Sequence, residues 1–476
     1  MTSSPRPRLD PTETRWGAGT HLDDFGWLAG EGPQVAAALS AERACYDARV
    51  AHLVPLREEL AAEMRGRLPA ADPSVSWLRG GYVYRTRFGE GADLPSLIRC
   101  LAPEAPQGSG EAPEAPQGSG EAPEAPQGTQ EVLVDLEEVA AAAGSSYADL
   151  GLTEPSPDGR VLAWSVDVTG GEVFELRFLD LATGTALPDV IPVTYYTGAW
   201  DASGTTFLYT VPDSAMRPWQ VRAHVLGTDP ALDRLVLQED DERFEVTVVG
   251  SRSGEWIVLE SRSRDTTEAW LVPTADVAEA PRSVWGRRAG VEYAVDHAPW
   301  VDAEGHRHDE LLVVTNDEAP EFRVLAAPVA GGGSPWREVV AHDEAVRVVG
   351  ADAFEGFVVL SLRVEGLTRL RVLRLDGSAG YDVEPPSEVA TIRLDRTEEW
   401  ATPVVTIATE SHVEPTIWWD LELATGSRRE RHRTEAPGLD PSRYRGRRVW
   451  ATARDGVRVP VTVLHRADVP LDGTAP

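Results

Sequence analysis

One short polar stretch of the chain places several possible metal ligands side by side. His306, His308, Asp309 and Glu310 lie within it, and imidazole nitrogens and carboxylate oxygens both bind zinc. The stretch precedes a predicted strand that opens at Leu311. A polar segment in that position is more typical of a solvated loop. We therefore predict a surface loop and assign no metal ligand.

Two acidic stretches carry the kind of side chain that glycoside hydrolases use for catalysis. Ser156-Pro-Asp-Gly resembles the Asp-box turn of sialidases, but it lacks the residue between Asp and Gly. We interpret Asp158 as a turn former that hydrogen-bonds to its own backbone. The run from Glu239 to Glu242 consists of four consecutive carboxylates, which favours a solvated loop face.

Sequence motifs for a nucleophilic serine or for phosphate binding do not indicate an active site either. The Gly-x-Ser-x-Gly elbow of serine hydrolases does not occur, and Ser109, Ser119, Ser253 and Ser334 lie near glycines at other spacings. There is also no His-Glu-x-x-His, no Walker loop and no Gly-x-Gly-x-x-Gly after a strand. We assign no catalytic, cofactor-binding or metal-binding residue, and we predict no cofactor.

The elements that would position a site are short strands, and one unit shows their pattern well. A Pro-Asp-Gly turn at 157–159 leads into a strand in which Leu162, Trp164 and Val166 alternate with smaller or polar residues. This alternation predicts a half-buried strand. Gly170-Gly171 then predicts a tight turn into a second strand, where Phe174, Leu176 and Phe178 alternate with charged residues. Two such strands make half of a propeller blade.

The same pattern returns along the chain at intervals of about 45 to 55 residues, once an insertion in the first interval is removed. Seven strands open in this way, at Tyr82-Val-Tyr-Arg, Val161-Leu-Ala-Trp, Thr206-Phe-Leu-Tyr, Trp256-Ile-Val-Leu, Leu311-Leu-Val-Val, Phe357-Val-Val-Leu and Pro403-Val-Val-Thr. Each repeat would bury its faces only against its neighbours. The pattern predicts a mainly β fold, a seven-bladed β-propeller.

Other elements precede, interrupt and follow the blades. Apolar residues spaced by three, four and seven predict a helix after Pro33 and a second one after Pro55. A decapeptide repeat, Glu-Ala-Pro-Glu-Ala-Pro-Gln-Gly-Ser-Gly, starts at Glu111 and predicts a mobile loop over about 102–130 within the first blade. Near the end, two strands around Asp455-Gly456 predict a hairpin that belongs to a larger sheet.

Composition limits the partners and the compartment. The formal charge of −32 argues against nucleic acid, because phosphate binding needs a basic surface. Cys45 and Cys100 are the only cysteines, and their spacing favours free core thiols over a disulfide or a thiolate metal site. The sequence shows no signal peptide and no apolar run of about 18 residues. We expect a cytoplasmic protein that does not associate with membranes.

Several segments carry a resemblance to a known family. They are Asp24-Phe-Gly-Trp-Leu, Glu63-Met-Arg-Gly-Arg, Arg79-Gly-Gly-Tyr, the set Asp213, Arg217-Pro218, Val221, His224, Leu226-Gly-Thr-Asp229, Asp233, Glu239 and Asp241-Glu-Arg-Phe244, then Ser251-Arg-Ser-Gly254, Val449-Trp-Ala-Thr-Ala-Arg-Asp-Gly and Val459-Pro460. In type and order they resemble the prolyl oligopeptidase family, specifically its oligopeptidase B branch. The resemblance covers essentially the whole chain.

The resemblance implies a domain order and a function. It implies an N-terminal extension with a helix pair at 1–72, the propeller at 73–441, and the first hairpin of an α/β-hydrolase domain at 442–476. In that family the propeller caps a hydrolase domain with a Ser-Asp-His triad, and a narrow channel restricts access to short peptides. The oligopeptidase B branch cleaves after Lys or Arg. All of that chemistry would lie beyond Pro476, so this chain by itself is predicted to be inactive.

Two other functions remain open from the residues. A stand-alone propeller would bind a peptide or a protein in its channel or on one face, and it would be a stable monomer. A retained hydrolase hairpin has no evident purpose in such a protein. A propeller enzyme with its own active site has no supporting motif. The predicted partners are therefore a catalytic α/β-hydrolase domain and short, basic peptides.

Overall fold

The computed structural model describes residues 8–16, 19–68, 74–89, 91–102, 130–330 and 336–475. They divide into two compact units, one formed by Met1–Ala70 with Ala436–Leu439 and the other by Ala71–Glu435 with Asp440–Pro476. None of the helices in the described ranges combines the length and the apolar character that a membrane span requires.

The first unit contains a small strand pair and the two predicted helices. Its elements are β1 Thr12–Trp16, β2 Gly19–Asp23, α1 Pro33–Val50 and α2 Val54–Gly66. Pro33 and Pro55 lie in the first turns of α1 and α2, where proline costs the helix no hydrogen bond. A single 3₁₀ turn, Ala51–Leu53, joins the helices. The predicted helix pair is confirmed.

The described residues of the second unit form seven four-stranded antiparallel sheets, each built from consecutive strands apart from a small strand pair inserted in the fifth. We number these sheets as blades 1 to 7 in chain order. Blades 1 to 3 contain β3 Trp77–Arg79, β4 Tyr82–Phe88, β5 Pro95–Leu101 and β6 Glu131–Asp135, then, after helix α3 Leu136–Ala142, β7 Asp149–Pro155, β8 Val161–Asp167, β9 Phe174–Asp180 and β10 Thr185–Thr194, then β11 Gly198–Trp200, β12 Thr206–Pro212, β13 Pro218–Val225 and β14 Arg234–Gln238.

Blades 4 to 7 follow the same plan. They contain β15 Glu245–Gly250, β16 Trp256–Arg262, β17 Thr267–Pro273 and β18 Arg282–Ser283, then β19 Tyr293–His297, the inserted pair β20 Trp300–Val301 and β21 Arg307–His308, β22 Glu310–Thr315, β23 Arg323–Pro328 and β24 Arg337–Val340, then β25 Val346–Phe354, β26 Phe357–Val364, β27 Leu367–Arg374 and β28 Tyr381–Val383, then β29 Thr391–Leu394, β30 Val404–Glu410, β31 Ile417–Glu422 and β32 Arg428–Arg433.

The predicted seven-bladed propeller is confirmed, and all seven predicted strand openings fall on the second strand of a blade, β4, β8, β12, β16, β22, β26 and β30. The prediction of a half-buried strand was wrong for β8. All residues from Leu162 to Asp167 are buried, because the second strand of a blade has a neighbouring sheet on both of its faces. Asp158 accepts a hydrogen bond from the backbone of Arg160 at 3.1 Å, as expected of a turn former.

Apolar packing joins each blade to the next. Six clusters of buried side chains lie at the six junctions from blade 1–2 to blade 6–7. At the junction of blades 2 and 3, for example, Phe178 contacts Trp200 and Phe207 edge to face, with ring centroids 5.7 and 6.0 Å apart. Such aromatic pairs add to the stabilisation from burial alone.

The junction of blades 7 and 1 has a different character. In the described part of the chain it holds none of those six clusters and is joined by polar contacts. Arg431 donates to the Ser76 hydroxyl at 3.0 Å, Arg79 donates to the Glu398 carbonyl at 3.1 Å, and Arg396 stacks on the Trp77 ring at 4.0 Å. No described strand is exchanged between the two blades. We call this junction the seam.

The second unit also contains the C-terminal hairpin, β33 Tyr444–Thr452 and β34 Arg458–Arg466. Gly456 adopts a positive φ of 85° in its turn, which confirms the predicted turn at Asp455-Gly456. The predicted mobile loop lies outside the described residues over 103–129, and its flanks are β5 and β6 of blade 1. Cys100 is a buried free thiol, whereas Cys45 is only partly buried.

Candidate functional site

The first strands of the seven blades surround a cavity at the centre of the second unit. One part, about 270 Å³, is lined by residues of β7, β11 and β15 together with Arg79 of β3. A second part, about 590 Å³, is lined by residues of β15, β19, β25 and β29. Arg252 and Glu398 border both parts. We call the two parts together the axial cavity.

Arg252 ties four blades together across this cavity. It follows β15 of blade 4, and its guanidinium lies 3.5 Å from Asp296 of blade 5 and 2.8 Å from Asp352 of blade 6. It also donates to the carbonyl of Thr397 of blade 7 at 2.9 Å. The guanidinium stacks on Phe354, 4.6 Å from the ring centroid. The planar guanidinium of arginine, with five N–H donors, suits such a position better than the ammonium group of a lysine.

Two carboxyl groups of the axial cavity hold their protons unusually tightly. Burial raises the pKa of Glu154 to about 7, with a further contribution from the nearby Glu398. Burial also raises the pKa of Asp296 to about 6, although Arg252 works in the opposite direction. The axial cavity therefore changes its charge between about pH 5 and pH 8.

A buried polar network lies between blades 2 and 3 and contains several residues of the family resemblance. The ring nitrogens of His224 lie 2.8 Å from Asp233 and 3.0 Å from Asp189. Tyr209 donates to Asp233 at 2.8 Å. His224 and both carboxylates are buried, so the network fixes the packing of two blades and offers no surface to a substrate.

The acidic run from Glu239 to Glu242 is not a uniformly solvated face, and that prediction was wrong for its first member. Glu239 is buried, accepts from the Ser261 hydroxyl at 2.6 Å and pairs with Arg287. Burial alone would raise the pKa of Glu239, but these bonds outweigh it and hold the pKa below its usual range. Glu242 is exposed as predicted.

The polar stretch before β22 is not a simple loop either, because Arg307–His308 forms strand β21. His306 and His308 both bond to one oxygen of Asp302, at 3.2 and 3.0 Å. Asp309 turns elsewhere and lies 2.9 Å from His297. Of the residues in this polar stretch, Asp309 is the one that contacts a buried histidine. That histidine, His297, lies 12 residues away, and no sequence motif links the two residues.

Of the serines considered from the sequence, Ser253 lies beside a histidine. Its hydroxyl is 2.6 Å from Nδ1 of His297, whose Nε2 faces Asp309. This Ser-His-Asp order is reminiscent of a hydrolytic triad, but the His297 ring is fully buried. A general base must reach the proton it transfers in a substrate complex. The arrangement therefore does not indicate a hydrolytic site.

Comparison with known proteins agrees with this architecture. Residues 12–434 match the model of the prolyl oligopeptidase N-terminal beta-propeller domain. The chain is 32% identical over 465 residues to dipeptidyl aminopeptidase BI of Pseudoxanthomonas mexicana, covering 95% of this chain and 61% of that protein. It is 27% identical to protease 2 of Moraxella lacunata, covering 95% of this chain and 62% of that protein.

Solved structures show the same fold. Oligopeptidase B from Leishmania major aligns with a TM-score of 0.85 at 22% identity, covering 99% of this chain and 66% of that one. Oligopeptidase B from Trypanosoma brucei aligns with a TM-score of 0.83 at 24% identity, covering 98% and 66%. This chain spans less than two thirds of each of these four relatives. By its propeller and by this match over 12–434, the chain belongs to the prolyl oligopeptidase family.

Proposed function

We propose that this chain is the propeller part of a serine oligopeptidase that acts on short peptides. The observation that carries the proposal is the axial cavity, which Arg252 crosses from blade 4 to blades 5, 6 and 7. A cavity of this size, crossed by a fixed guanidinium, excludes folded proteins. The propeller would act as a cap and size filter, and a Ser-Asp-His triad of an α/β-hydrolase domain would perform the acyl transfer.

The C-terminal hairpin supports a hydrolase domain as the partner. On one of its faces, Val449 pairs with Val461 and Ala451 pairs with Val459 across the strands. Val459 and Val461 are 42% and 37% exposed. A two-stranded hairpin is marginal in water unless further strands or a helix cover its apolar face. The remaining strands and helices of a hydrolase domain would provide that cover.

For the full-length enzyme we propose cleavage after Lys or Arg. The formal charge of −32 favours basic peptides, and carboxyl groups outnumber guanidinium groups by six to three in the lining of the axial cavity. A second candidate is the release of dipeptides from peptide N-termini, since a relative 32% identical carries the name dipeptidyl aminopeptidase BI. The cytoplasm remains the predicted compartment.

The intact mass of the native protein, purified from its source cells, tests the partner. We expect either a mass larger than 51.6 kDa by a hydrolase domain or tight co-purification with one. The purified 476-residue chain alone should not cleave dibasic reporter peptides. Turnover by this chain that survives repurification would contradict the proposal. A native mass of 51.6 kDa without a co-purifying hydrolase would favour a binding propeller.

A dye-binding measurement tests the hairpin separately. The chain alone should bind a hydrophobic dye, and replacing Val459 and Val461 with threonine should reduce that binding because it makes the exposed face polar. The matched control is Val249→Thr, at a valine that is 57% exposed on β15 of the propeller. Equal dye binding by the hairpin variant and the wild type would show that this face is not the exposed apolar surface that needs a partner.

Peptide panels with the full-length enzyme separate the two specificities. Cleavage after Lys or Arg inside N-terminally blocked peptides supports the first candidate. Cleavage that requires a free N-terminus and releases dipeptides supports the second. Charge neutralisation at Glu398 by glutamine should weaken the preference for basic peptides only if the axial cavity contributes to it.

A further inference from the structure

We infer that Glu255, His297 and Asp309 form a binding site for a divalent transition metal at the junction of blades 4 and 5. Glu255 precedes β16 of blade 4, whereas His297 ends β19 and Asp309 precedes β22, both in blade 5. Their ligand atoms all lie within 4.8 Å of one another. This inference does not rest on the proposed peptidase function.

The burial of the three residues suits a site that fills from solvent. The His297 ring is fully buried, and its Nε2 points at the Asp309 carboxylate 2.9 Å away. The side chains of Glu255 and Asp309 are 43% and 44% exposed. A hydrated cation can therefore exchange its water for the two carboxylates first, and it reaches the buried imidazole only when Asp309 moves aside.

Ser253 can fix the orientation and the tautomer of the His297 ring that metal binding requires. Histidine ligands usually donate their second ring N–H to a nearby acceptor, which fixes the ring and its tautomer. The Ser253 hydroxyl lies 2.6 Å from Nδ1 of His297 and 2.9 Å from the Ser251 hydroxyl. A hydroxyl both donates and accepts. As the structure stands, Nε2 donates its proton to the Asp309 carboxylate and Nδ1 accepts from Ser253. Metal binding at Nε2 requires the imidazole proton to move to Nδ1, and Ser253, by turning its own proton toward Ser251, can then accept from Nδ1.

A cationic side chain already uses this location. Arg307 pairs with Glu255 and lies 3.5 Å from Asp309, so a positive charge joins the same two carboxylates. The Arg307 side chain is 52% exposed, and it can move away without leaving a buried charge behind. Arg307 is therefore a built-in competitor, and its removal should strengthen metal binding.

One imidazole and two carboxylates, with room for water, match the ligands of Zn²⁺. Ligand atoms around tetrahedral zinc lie about 3.4 Å apart, given bonds of about 2.1 Å. Asp309 would have to move away from Nε2 by roughly half an ångström, which its exposure permits. The bound metal would then link blade 4 to blade 5 in place of the ion pair between Arg307 and Glu255.

The test is calorimetric titration of the untagged, chelator-treated chain with ZnCl₂. We expect one equivalent to bind and to raise the thermal unfolding midpoint. Glu255→Gln and Asp309→Asn should each weaken binding by about tenfold or more, since each removes one of three ligands. Arg307→Gln should bind more tightly than the wild type. Co²⁺ titration should give visible absorption that Glu255→Gln reduces.

Asp302→Asn is the matched control, because it removes the carboxylate shared by His306 and His308 and leaves the proposed site untouched. Its zinc affinity should equal that of the wild type. Loss of binding in Asp302→Asn with normal binding in Glu255→Gln would assign the metal to the surface histidines and overturn the proposal. Failure of the wild-type chain to bind zinc at about 1 mM would also overturn it. Both ligand variants change partly exposed side chains, so circular dichroism should confirm that they fold.

Discussion

Glu154 shows how the axis of the propeller changes the chemistry of a single carboxyl group. With its pKa raised to about 7, the folded protein binds this proton more tightly than the unfolded chain does. Stability therefore falls as the pH rises from the unfolded pKa, near 4.5, through about 7. At alkaline pH the folded state must hold this partly desolvated carboxylate in its charged form, which costs free energy.

We expect Glu154→Gln to stabilise the protein at pH 8 by on the order of 2 kcal/mol and to have little effect at pH 5. Glutamine is neutral at both pH values, so the variant does not have to bury a charge. Thermal unfolding midpoints at the two pH values measure the difference. Glu242→Gln, at an exposed position, is the control and should not show this pH dependence. An equal gain for Glu154→Gln at both pH values would contradict the raised pKa.

Individual residues were the hardest part of the site to predict from sequence. Asp309 stood out in a polar cluster, but Glu255 lies 54 residues before it in the numbering and His297 is on another strand. Similarly, Arg252 gave no sign that it crosses the axial cavity. Such partners are set by the order and tilt of whole blades, and periodicity within one strand does not carry that information.

Strands and helices were easier to predict from the sequence than individual site residues. The seven strand openings were predicted because Val, Ile, Leu and aromatic residues cluster between turn residues, and this pattern depends only on local sequence. The first strands did not stand out in the same way, and two of them, β3 and β11, have only three residues each. These short strands carry Arg79 and Trp200 to the axial cavity. Two of the strands that line the candidate site are thus too short to show a local pattern.

Gly198 of β11 illustrates why such a strand tolerates little change. A Cβ atom at this position would lie 2.5 Å from the ring of Phe207 and 2.7 Å from the carbonyl oxygen of Leu208. Phe207 is fully buried, so the ring cannot move without disturbing the junction of blades 2 and 3. We expect Gly198→Ala to destabilise the protein by about 1–3 kcal/mol.

Thermal or denaturant unfolding measures this loss. Gly250→Ala is the matched control, because Gly250 ends β15, another first strand, and its added Cβ would lie 3.7 Å from Ala199, an ordinary contact. The control should remain within about 1 kcal/mol of the wild type. A similar loss for both variants would mean that the crowding at Gly198 is not what limits the position.

At the scale of the whole molecule, Arg252 is a single side chain of blade 4 that contacts three other blades, 5, 6 and 7. We expect Arg252→Ala to destabilise the second unit by about 2–3 kcal/mol, because Asp296 and Asp352 lose their shared counter-charge. The loss should be larger at pH 8 than at pH 5. Below its raised pKa of about 6, Asp296 is largely neutral and needs no partner.

Unfolding midpoints at both pH values test this prediction. Arg243→Ala is the control, since Arg243 pairs with Asp241 while its own side chain is 79% exposed, and exposed pairs contribute little. A loss for Arg252→Ala no larger than for the control would show that the contacts across the axial cavity do not hold the blades together.

The seam has a consequence for the time at which the propeller is completed. Ser76 and Arg431 meet across it although 355 residues separate them in the chain. A ribosome adds about 5–20 residues per second, and domains begin to fold during synthesis. Blade 1 therefore waits roughly 20–70 seconds for the last blade to emerge. During that interval the nascent chain is an open arc with one polar edge, and that edge, unlike an apolar one, can stay in water without attracting other unfinished chains.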